Sequence, residues 1–333
     1  MSRTLTRAVA VLPLVAVLAL ASCSSDEAAP EETEAATGAS VSAHTVTTDY
    51  GDVDIPEDPQ TIVVLNYALA GYLYDLDVPV TATIPEDADG QGEFSEFWAD
   101  EAEAAGTEFL SWSVDGFDME DILALEPDLI IGGGWGFPLF QAAEVYDDLS
   151  DLAPTVLVSG GYSTWQEQFE FLASDVFEQP DAYDDAVAAY EARAEEVAAA
   201  IEPPEAPSAF VAFTAEQVPY VYYADEALTG VFADVGIETD PELTDENYDP
   251  YTPGGDMFEL STEQAGQVLT QPTLFITGFN GAPVDVAAAS ENAVFASLPA
   301  FQDDTAFDLP HWVARADFDK TMATLDLIEE MFG

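Results

Sequence analysis

The sequence predicts an α/β protein with mostly parallel sheets. Short apolar segments of strand length alternate with segments of helical periodicity from Val46 to the carboxyl terminus, which is the pattern of repeated β-α-β units. Hydrophobic residues make up 48% of the 333 residues and aromatic residues 11%, enough to build the core of one large or two medium domains. One long amphipathic segment near the middle of the chain adds a helix of greater length than the others.

Both halves of the chain contain these alternating elements. Strands are predicted at Thr61–Leu65, Val80–Thr83, Leu129–Gly132, Thr155–Val158, Ser208–Thr214 and Thr273–Thr277. Helices are predicted at Asp118–Leu125, Trp165–Phe177, Leu228–Val235 and Thr262–Leu269. Because helical segments separate the strands, neighbouring strands are expected to run in the same direction.

The long amphipathic segment runs from Asp181 to Ile201, with Pro180 before it and Pro203-Pro204 to end it. At about 1.5 Å per residue, a helix of its 21 residues spans roughly 30 Å. The segment is either a packing helix of one domain or a rigid connector between two lobes. Its larger or apolar residues form one stripe with steps of four and three, at Tyr183, Val187, Tyr190, Ala194, Val197 and Ile201.

The amino terminus has the features of a secretory signal. Arg3 and Arg7 supply positive charge, the apolar segment Ala8–Leu20 follows, and the small residues Ala21-Ser22 precede Cys23, the only cysteine of the sequence. This arrangement resembles the lipobox of bacterial lipoproteins, in which the peptide is cut before the cysteine and the cysteine is acylated. The alternative is an ordinary cleaved signal followed by an incidental cysteine.

Cleavage before Cys23 would separate a signal peptide, residues 1–22, from a lipid-anchored body. Residues 23–45 are rich in Ser, Glu, Ala and Thr and are predicted to form a flexible spacer. No second apolar segment of spanning length follows, and one cysteine allows no disulfide within the chain. We therefore expect a protein that is anchored through Cys23 to the outer face of the cytoplasmic membrane.

The charge composition restricts the possible partners. Asp and Glu number 66 against five Lys and Arg, so the formal net charge is −61, and only Arg193, Arg315 and Lys320 remain as cations after the signal is removed. Nucleic acid is excluded as a partner because phosphate binding needs basic patches. The apolar and aromatic content argues against disorder beyond the spacer. We interpret the acidic, halophilic-type composition as adaptation to a saline exterior.

Several motifs resemble those of one family. Asp118–Ile131 is close to the pattern N-x-E-x-I-x-A-L-x-P-D-L-I-I and is the most specific of the matches. The others are Ile55–Leu65, Asp151–Val156, Ser261–Thr277, Leu298–Gln302 and His311-Trp312. The resemblance is to the substrate-binding proteins of ABC importers for ferric siderophores, haem and vitamin B12, and it covers essentially all of residues 46–333.

This resemblance implies a fold, a function and partners. It implies two α/β lobes, residues 46–179 and 204–333, joined by a single long helix at 180–203, with the ligand in the cleft between the lobes. A protein of this kind is not an enzyme and has no intrinsic cofactor. It captures a ferric siderophore for iron uptake and hands it to an ABC permease, and we expect it to be a monomer.

Two glutamates are candidates for permease docking because of their motif positions. Glu120 occupies the acidic position of the first motif, and Glu263 occupies the equivalent position after Ser261. The resemblance implies that these side chains dock onto arginine pockets of the permease, one from each lobe, since charge complementarity fixes orientation. The alternative is that each glutamate only stabilises the amino terminus of its own helix.

The ligand-binding candidates are aromatic residues placed where strands end. Aromatic faces suit a flat, partly apolar metal chelate, although each of these residues would serve equally well in the core. The glycines before Trp135 are predicted to form a tight turn rather than a phosphate cradle, because no P-loop lysine follows them. The candidates are Tyr67, Trp112, Trp135, Phe137, Tyr220, Tyr222, Tyr251, Phe279 and Trp312.

Arg315 is the cation that we expect to contact ligand oxygens, because a guanidinium pairs well with them. Arg193 is expected to pair with Glu196 on its own helix, and Lys320 is expected to be solvated in the last helix. Many catecholate binders of the family hold a trianionic chelate with several arginines, which this chain lacks. A neutral or cationic chelate such as a ferric hydroxamate is therefore favoured, with the iron held by the chelate.

Other functions remain as alternatives. Haem would need an axial ligand such as a tyrosine or His311, and cobalamin is a further ligand of the same family. Direct binding of Zn or Mn would need several histidines, and the sequence has only His44 and His311. A secreted hydrolase is a remote alternative, because no G-x-S-x-G motif occurs and nothing distinguishes one catalytic pair among 66 acids.

The acidic composition predicts that salt stabilises the fold. At about 1 M salt the Debye length falls to roughly 3 Å, so most of the repulsion among the carboxylates is screened. The melting temperature, followed by circular dichroism, should therefore rise steadily along a NaCl series. Sucrose at matched osmolarity serves as the uncharged control, and a melting temperature that is indifferent to NaCl would contradict the interpretation.

Overall fold

Two five-stranded sheets organise the chain. The computed structural model describes residues 41–333 except 89, 254 and 280–283. The strands are β1 (His44–Thr48), β2 (Gly51–Ile55), β3 (Ile62–Val64), β4 (Ala82–Thr83), β5 (Glu108–Phe109), β6 (Trp112–Ser113), β7 (Gly116–Phe117), β8 (Leu129–Gly133), β9 (Thr155–Val158), β10 (Ser208–Phe213), β11 (Pro219–Tyr222), β12 (Met257–Glu259), β13 (Thr273–Gly278) and β14 (Ala306–Asp308).

Helices cover the sheets and connect the strands. They are α1 (Tyr67–Asp75), α2 (Ala99–Ala105), α3 (Met119–Ala124), α4 (Phe137–Glu144), α5 (Tyr146–Leu152), α6 (Trp165–Glu170), α7 (Pro180–Ala200), α8 (Ala227–Asp234), α9 (Thr262–Val268), α10 (Val286–Ala289), α11 (Pro299–Gln302) and α12 (Phe318–Phe332). A π-helix at Phe171–Val176 continues α6, and a short 3₁₀-helix lies at His311–Val313.

The first sheet is parallel throughout and has the strand order β5-β4-β3-β8-β9. From β3 the chain adds β4 and β5 on one side, and it later adds β8 and β9 on the other. The position between β3 and β8 is therefore a topological switch point. At such a point the connections leave in opposite directions and open a crevice beyond the carboxyl ends of the strands.

The second sheet is mixed and has the strand order β12-β11-β10-β13-β14. The pairs β10–β13 and β13–β14 are parallel, whereas β10–β11 and β11–β12 are antiparallel. Every residue of β10 and β13 is buried, as expected for strands that are covered on both faces. The prediction of mostly parallel strands thus holds for the first sheet and for the β10-β13-β14 half of the second.

The predicted fold class is confirmed, and the elements predicted from the sequence are all present with small differences at their ends. The predicted helix Trp165–Phe177 differs in kind, because α6 ends at Glu170 and continues as a π-helix. The wider turn of this π-helix buries four of its six residues. The first sheet lies wholly before α7 and the second wholly after it, which supports the predicted division into lobes.

Arg193 ties α7 to the carboxyl-terminal helix α12. Its Nε lies 2.9 Å from Oδ1 of Asp326, and its Nη2 contacts both Asp326 and Glu329. The predicted pair with Glu196 is present, at the longer distance of 3.6 Å. Because α12 also packs against α1 and α8, it contacts elements that come before and after the long helix.

Cys23, the signal peptide and most of the predicted spacer lie outside the described residues. Within the described part of the chain, none of the helices is both long enough and apolar enough to cross a membrane.

Candidate functional site

A cavity of about 300 Å³ lies at the switch point of the first sheet. The first lobe contributes residues that follow the ends of β3, β4 and β8. The second contributes residues of β11 and β12 and of the segment 311–320. The cavity therefore opens where the topology of the first sheet predicts a binding crevice.

The side chain of Asn66 links the carboxyl ends of β3 and β8 and lines the cavity. Asn66 follows β3 and caps α1, because its side-chain oxygen accepts a hydrogen bond from the Ala68 amide at 3.1 Å. Its Nδ2 donates to the carbonyl of Gly133, the last residue of β8, at 2.7 Å and to that of Trp135 at 3.1 Å. Gly133 has φ of +85°, and a Cβ there would overlap the backbone of Val158. The predicted tight turn is thus confirmed.

Aromatic side chains of the first lobe line the cavity with their polar atoms turned into the protein. The indole nitrogen of Trp112 donates to Oε1 of Gln141 at 2.5 Å, and that of Trp135 donates to the carbonyl of Tyr162 at 2.6 Å. Because protein acceptors satisfy both indole N–H groups, the exposed parts of these rings offer apolar surface to a ligand.

The second lobe supplies a cluster of three aromatic rings. The ring of Tyr220 lies 5.7 Å from that of Tyr251 in an edge-on arrangement and 4.8 Å from that of Phe279. The Tyr220 hydroxyl donates to Glu259 at 2.9 Å. Burial, together with this carboxylate, raises the pKa of Tyr220 to about 12, so the phenol stays neutral and the cluster adds no charge.

Arg315 reaches the cavity already paired with a carboxylate. Its Nε and Nη2 lie 3.0 and 2.8 Å from the two oxygens of Asp256, and Nη2 also lies 3.1 Å from the Tyr251 hydroxyl. Burial alone would lower the pKa of Arg315, but Asp256 and the neighbouring Tyr251 raise it well above its usual value. The guanidinium is therefore charged, and Asp256 balances that charge.

Lys320 is buried, so the expectation that it is solvated is wrong. Only 4% of its surface is exposed, and its Nζ lies 3.1 Å from Oδ2 of Asp317 and 5.4 Å from the centre of the Tyr67 ring. Asp317 caps the start of α12 and points this turn of the helix inward against α1. Lys320 consequently lines the cavity instead of extending into solvent.

A second cavity of about 550 Å³ adjoins the first and shares Tyr67, Glu86, His311 and Lys320 with it. Nε2 of His311 lies 3.5 Å from Glu86, and the hydrogen bond that the imidazole donates to this carboxylate raises the pKa of His311. Trp312 lines this second cavity, and its ring contacts that of Phe97 at 4.9 Å.

The structure brings most of the predicted ligand-binding residues together. Trp312 is the exception, because it lines the second cavity. Asn66, Glu86 and Lys320 also line the first cavity and are not among the residues predicted from the sequence. Asn66 is predictable in principle, because it directly follows a predicted strand. The residues at the first cavity are Tyr67, Trp112, Trp135, Phe137, Tyr220, Tyr222, Tyr251, Phe279 and Arg315.

The two docking candidates are exposed, in the first turns of short helices. Glu120 lies in α3 and Glu263 in α9, one in each half of the chain. Asp118 and Ser261, respectively, cap these helices. Both positions thus suit the stabilisation of a helix amino terminus and leave the carboxylates accessible to a partner.

Comparison with known proteins identifies the family. A model described as periplasmic binding protein matches residues 62–252, which is more than half of the chain. The chain belongs to the periplasmic binding protein family. It is thus an extracytoplasmic binding protein and not an enzyme, and the molecule that such a protein binds is its cargo rather than an intrinsic cofactor.

Individual relatives agree with this family. The ferric enterobactin-binding periplasmic protein FepB of Escherichia coli is 26% identical over 294 residues, which cover 86% of this chain and 90% of FepB. Holo-ViuP has a TM-score of 0.73 at 21% identity, covering 87% of this chain and 95% of that one. Bacillus subtilis FeuA, a triscatecholate siderophore binding protein complexed with ferri-bacillibactin, has a TM-score of 0.66 at 15% identity, covering 86% and 97%. The motif resemblance is therefore confirmed.

Asp75, the last residue of α1, is expected to make stability depend on pH. Burial, with Asp317 and Asp319 nearby, raises the pKa of its carboxyl from 3.8 to about 8. Between these values the folded protein holds a proton that the unfolded chain has lost, so the free energy of unfolding falls as pH rises. Asp75→Asn should make the decline shallower in urea unfolding between about pH 5 and 8.

The decline should not vanish in this variant, because burial also raises the pKa of Glu226 to about 8. The matched control is Asp77→Asn, an exposed residue with φ of 54° that asparagine tolerates. An equal decline in both variants would show that Asp75 does not hold the proton.

Proposed function

We propose that this protein captures a ferric siderophore outside the cytoplasm and delivers it to an ABC importer. The family supports the role of a binding protein, and FepB and FeuA are described as siderophore binders. The aromatic cavity at the switch point is of a kind that suits a bulky, partly apolar chelate.

The charge of the cavity favours a neutral or cationic chelate, such as a ferric hydroxamate. Each cation at the described site has a carboxylate partner, since Arg315 pairs with Asp256 and Lys320 with Asp317, and the imidazole of His311 also lies beside a carboxylate, that of Glu86. These pairs leave no net positive charge to attract an anion. Three hydroxamates balance the charge of one ferric ion, whereas three catecholates leave a trianion whose burial here would be uncompensated.

A ferric catecholate is the second candidate, because FepB is described as ferric enterobactin-binding and FeuA as a triscatecholate binder. The paired state of Arg315 and Lys320 argues against it, since a trianion would have to compete with Asp256 and Asp317 for the same cations. Haem and cobalamin are also ligands to test, and His311 at the junction of the cavities is the residue that haem would use.

We also propose that the protein is anchored through lipidated Cys23 and works as a monomer. Residues 23–45 would then be the spacer between the membrane and the folded body. Glu120 and Glu263 would dock onto the permease, one from each lobe. Their exposure, and their matched positions at the starts of α3 and α9, support this role.

The ligand proposal predicts an order of affinities. Residues 26–333 in high salt are titrated with ferrioxamine B, ferric enterobactin, haemin and cobalamin, and quenching of tryptophan fluorescence reports binding, since Trp112, Trp135 and Trp312 line the two cavities. Ferrioxamine B should bind most tightly. Its neutral N-acetyl derivative should bind similarly and its anionic succinyl derivative at least about tenfold more weakly, a difference of about 1.4 kcal/mol.

Iron-free desferrioxamine is the control, because any quenching that it causes does not depend on the ferric complex. Tighter binding of ferric enterobactin than of ferrioxamine B would overturn the hydroxamate proposal and leave siderophore binding in place. Preference for haemin or cobalamin would overturn siderophore binding itself.

The delivery proposal predicts uptake defects without binding defects. The double variant Glu120→Gln, Glu263→Gln should bind the chelate with unchanged affinity but lose most of the uptake of ⁵⁵Fe chelate by whole cells, because the charges that orient docking are absent. Cys23→Ala should lower uptake by releasing the protein from the membrane fraction. Glu108→Gln, an exposed glutamate of the first lobe, is the matched control for the lost charge. Full uptake by the docking variant would contradict the docking role.

A further inference from the structure

We propose that Lys320 donates a hydrogen bond directly to an oxygen of the bound chelate, and that Asp317 and Gly71 position it for this contact. The inference rests on the proposed function, because it names the residue with which the cavity contacts its cargo. It assigns to Lys320 the role that the sequence suggested for Arg315.

Lys320 lies at the junction of the two cavities with donor capacity to spare. Its ammonium group carries three N–H donors. Oδ2 of Asp317 lies 3.1 Å from Nζ and forms an ion pair with it, without the geometry of a hydrogen bond, and the centre of the Tyr67 ring lies 5.4 Å from Nζ. Within the described part of the chain, no other acceptor is paired with Nζ, although the residue is only 4% exposed. A buried donor without an acceptor is costly, so a ligand oxygen at this junction would complete its coordination.

Asp317 holds both the backbone and the side chain of Lys320. Its Oδ1 accepts the Lys320 amide at 3.0 Å as the cap of α12, and its Oδ2 pairs with the ammonium group. Asp317 is completely buried. The two contacts fix the lysine at the start of the helix, so less side-chain entropy remains to be lost when a ligand binds.

Gly71 makes room for this arrangement on the facing helix α1. A Cβ at position 71 would overlap the carboxylate of Asp317. The same helix begins with Tyr67, whose hydroxyl donates to the carbonyl of Glu93 at 2.9 Å, so the ring beside the ammonium group is also fixed. The site is therefore built from two helices that lie far apart in the sequence.

Arg315 is committed to protein acceptors through one edge of its guanidinium, and its remaining donors are the two N–H groups of Nη1. Its Nε and Nη2 already make three hydrogen bonds, to Asp256 and Tyr251. Lys320 and Asp317 together are neutral, so the pair offers a strong donor without adding net charge to the cavity. Such a donor suits the oxygens of a neutral or cationic chelate, in agreement with the ligand class proposed above.

The test uses the fact that Lys320 is the only lysine of the sequence. Residues 26–333 labelled with ¹⁵N at lysine Nζ have one lysine ammonium signal. Addition of the gallium form of ferrioxamine B, a diamagnetic counterpart of equal charge, should shift this signal in saturable fashion. Lys320→Met should weaken binding of ferrioxamine B by about tenfold to a hundredfold, as expected for loss of a charged hydrogen bond.

Four further variants guard against a purely structural effect. Lys320→Met leaves Asp317 unpaired, so Lys320→Met with Asp317→Asn removes both charges together and should show the same loss of affinity. Arg193→Gln removes an equal charge from the exposed contact between α7 and α12, away from the cavities, and should bind normally once circular dichroism shows that the variant is folded. Gly71→Ala should shift the lysine signal of the unliganded protein and weaken binding, whereas Gly230→Ala, with open space around its Cβ, should do neither.

The outcomes separate this inference from the proposed function. Binding with normal affinity by both Lys320→Met variants, with a lysine signal that the chelate leaves unmoved, would overturn the role of Lys320 while the siderophore function stands. Absence of binding by the wild-type protein to every chelate tested, ferric enterobactin included, would overturn the proposed function and remove the ligand on which the inference depends.

Discussion

The packing of the described residues depends on where their three Lys and Arg side chains lie, because elements rich in carboxylates repel each other where they meet without a cation. Arg193 pairs with Asp326 and Glu329 of α12, and Lys320 belongs to the first turn of that helix. Arg315 lies in the segment just before it. All three cations therefore hold the carboxyl-terminal segment, which packs against α1, α7 and α8. The pairs of Arg315 with Asp256 and of Lys320 with Asp317 are buried, and a buried ion pair contributes little net stability but is expensive to break, so these two pairs fix which elements pack together.

The small number of cations also determines the chemistry of the cavity. Two of the three cations reach it, and each arrives with a carboxylate of its own, Asp256 or Asp317. The crevice comes from connections that leave in opposite directions at the switch point, and its walls come from aromatic rings whose polar atoms are satisfied within the protein. What such a site offers a ligand is apolar surface and a small number of oriented donors, with little net attraction for an anion.

Sequence patterns predicted the features that depend on local periodicity. The apolar stripe of α7 and its flanking prolines are local, and the aromatic residues at strand ends meet because the switch point gathers those ends. The sequence does not predict the burial of Lys320, because that burial depends on Gly71. Gly71 lies on another helix, and no local sequence pattern links the two residues. Arg315 was placed at the cavity, but its partner Asp256 is 59 residues away and is one acid among 66.

High salt, which the acidic composition predicts for the surroundings of this protein, acts differently on the charged surface and on the buried ion pairs of the cavity. In a saline exterior the Debye length falls to roughly 3 Å at about 1 M, so attraction between a charged cargo and the protein surface is lost beyond contact distance. A buried pair is screened much less, because ions do not enter the space between its members. Lys320 and Asp317, at 3.1 Å and almost free of solvent, therefore keep their geometry when salt removes long-range attraction. A chain with an acidic surface thus gains selectivity from contacts inside its cavity, where hydrogen-bond donors and aromatic surface do not depend on ionic strength.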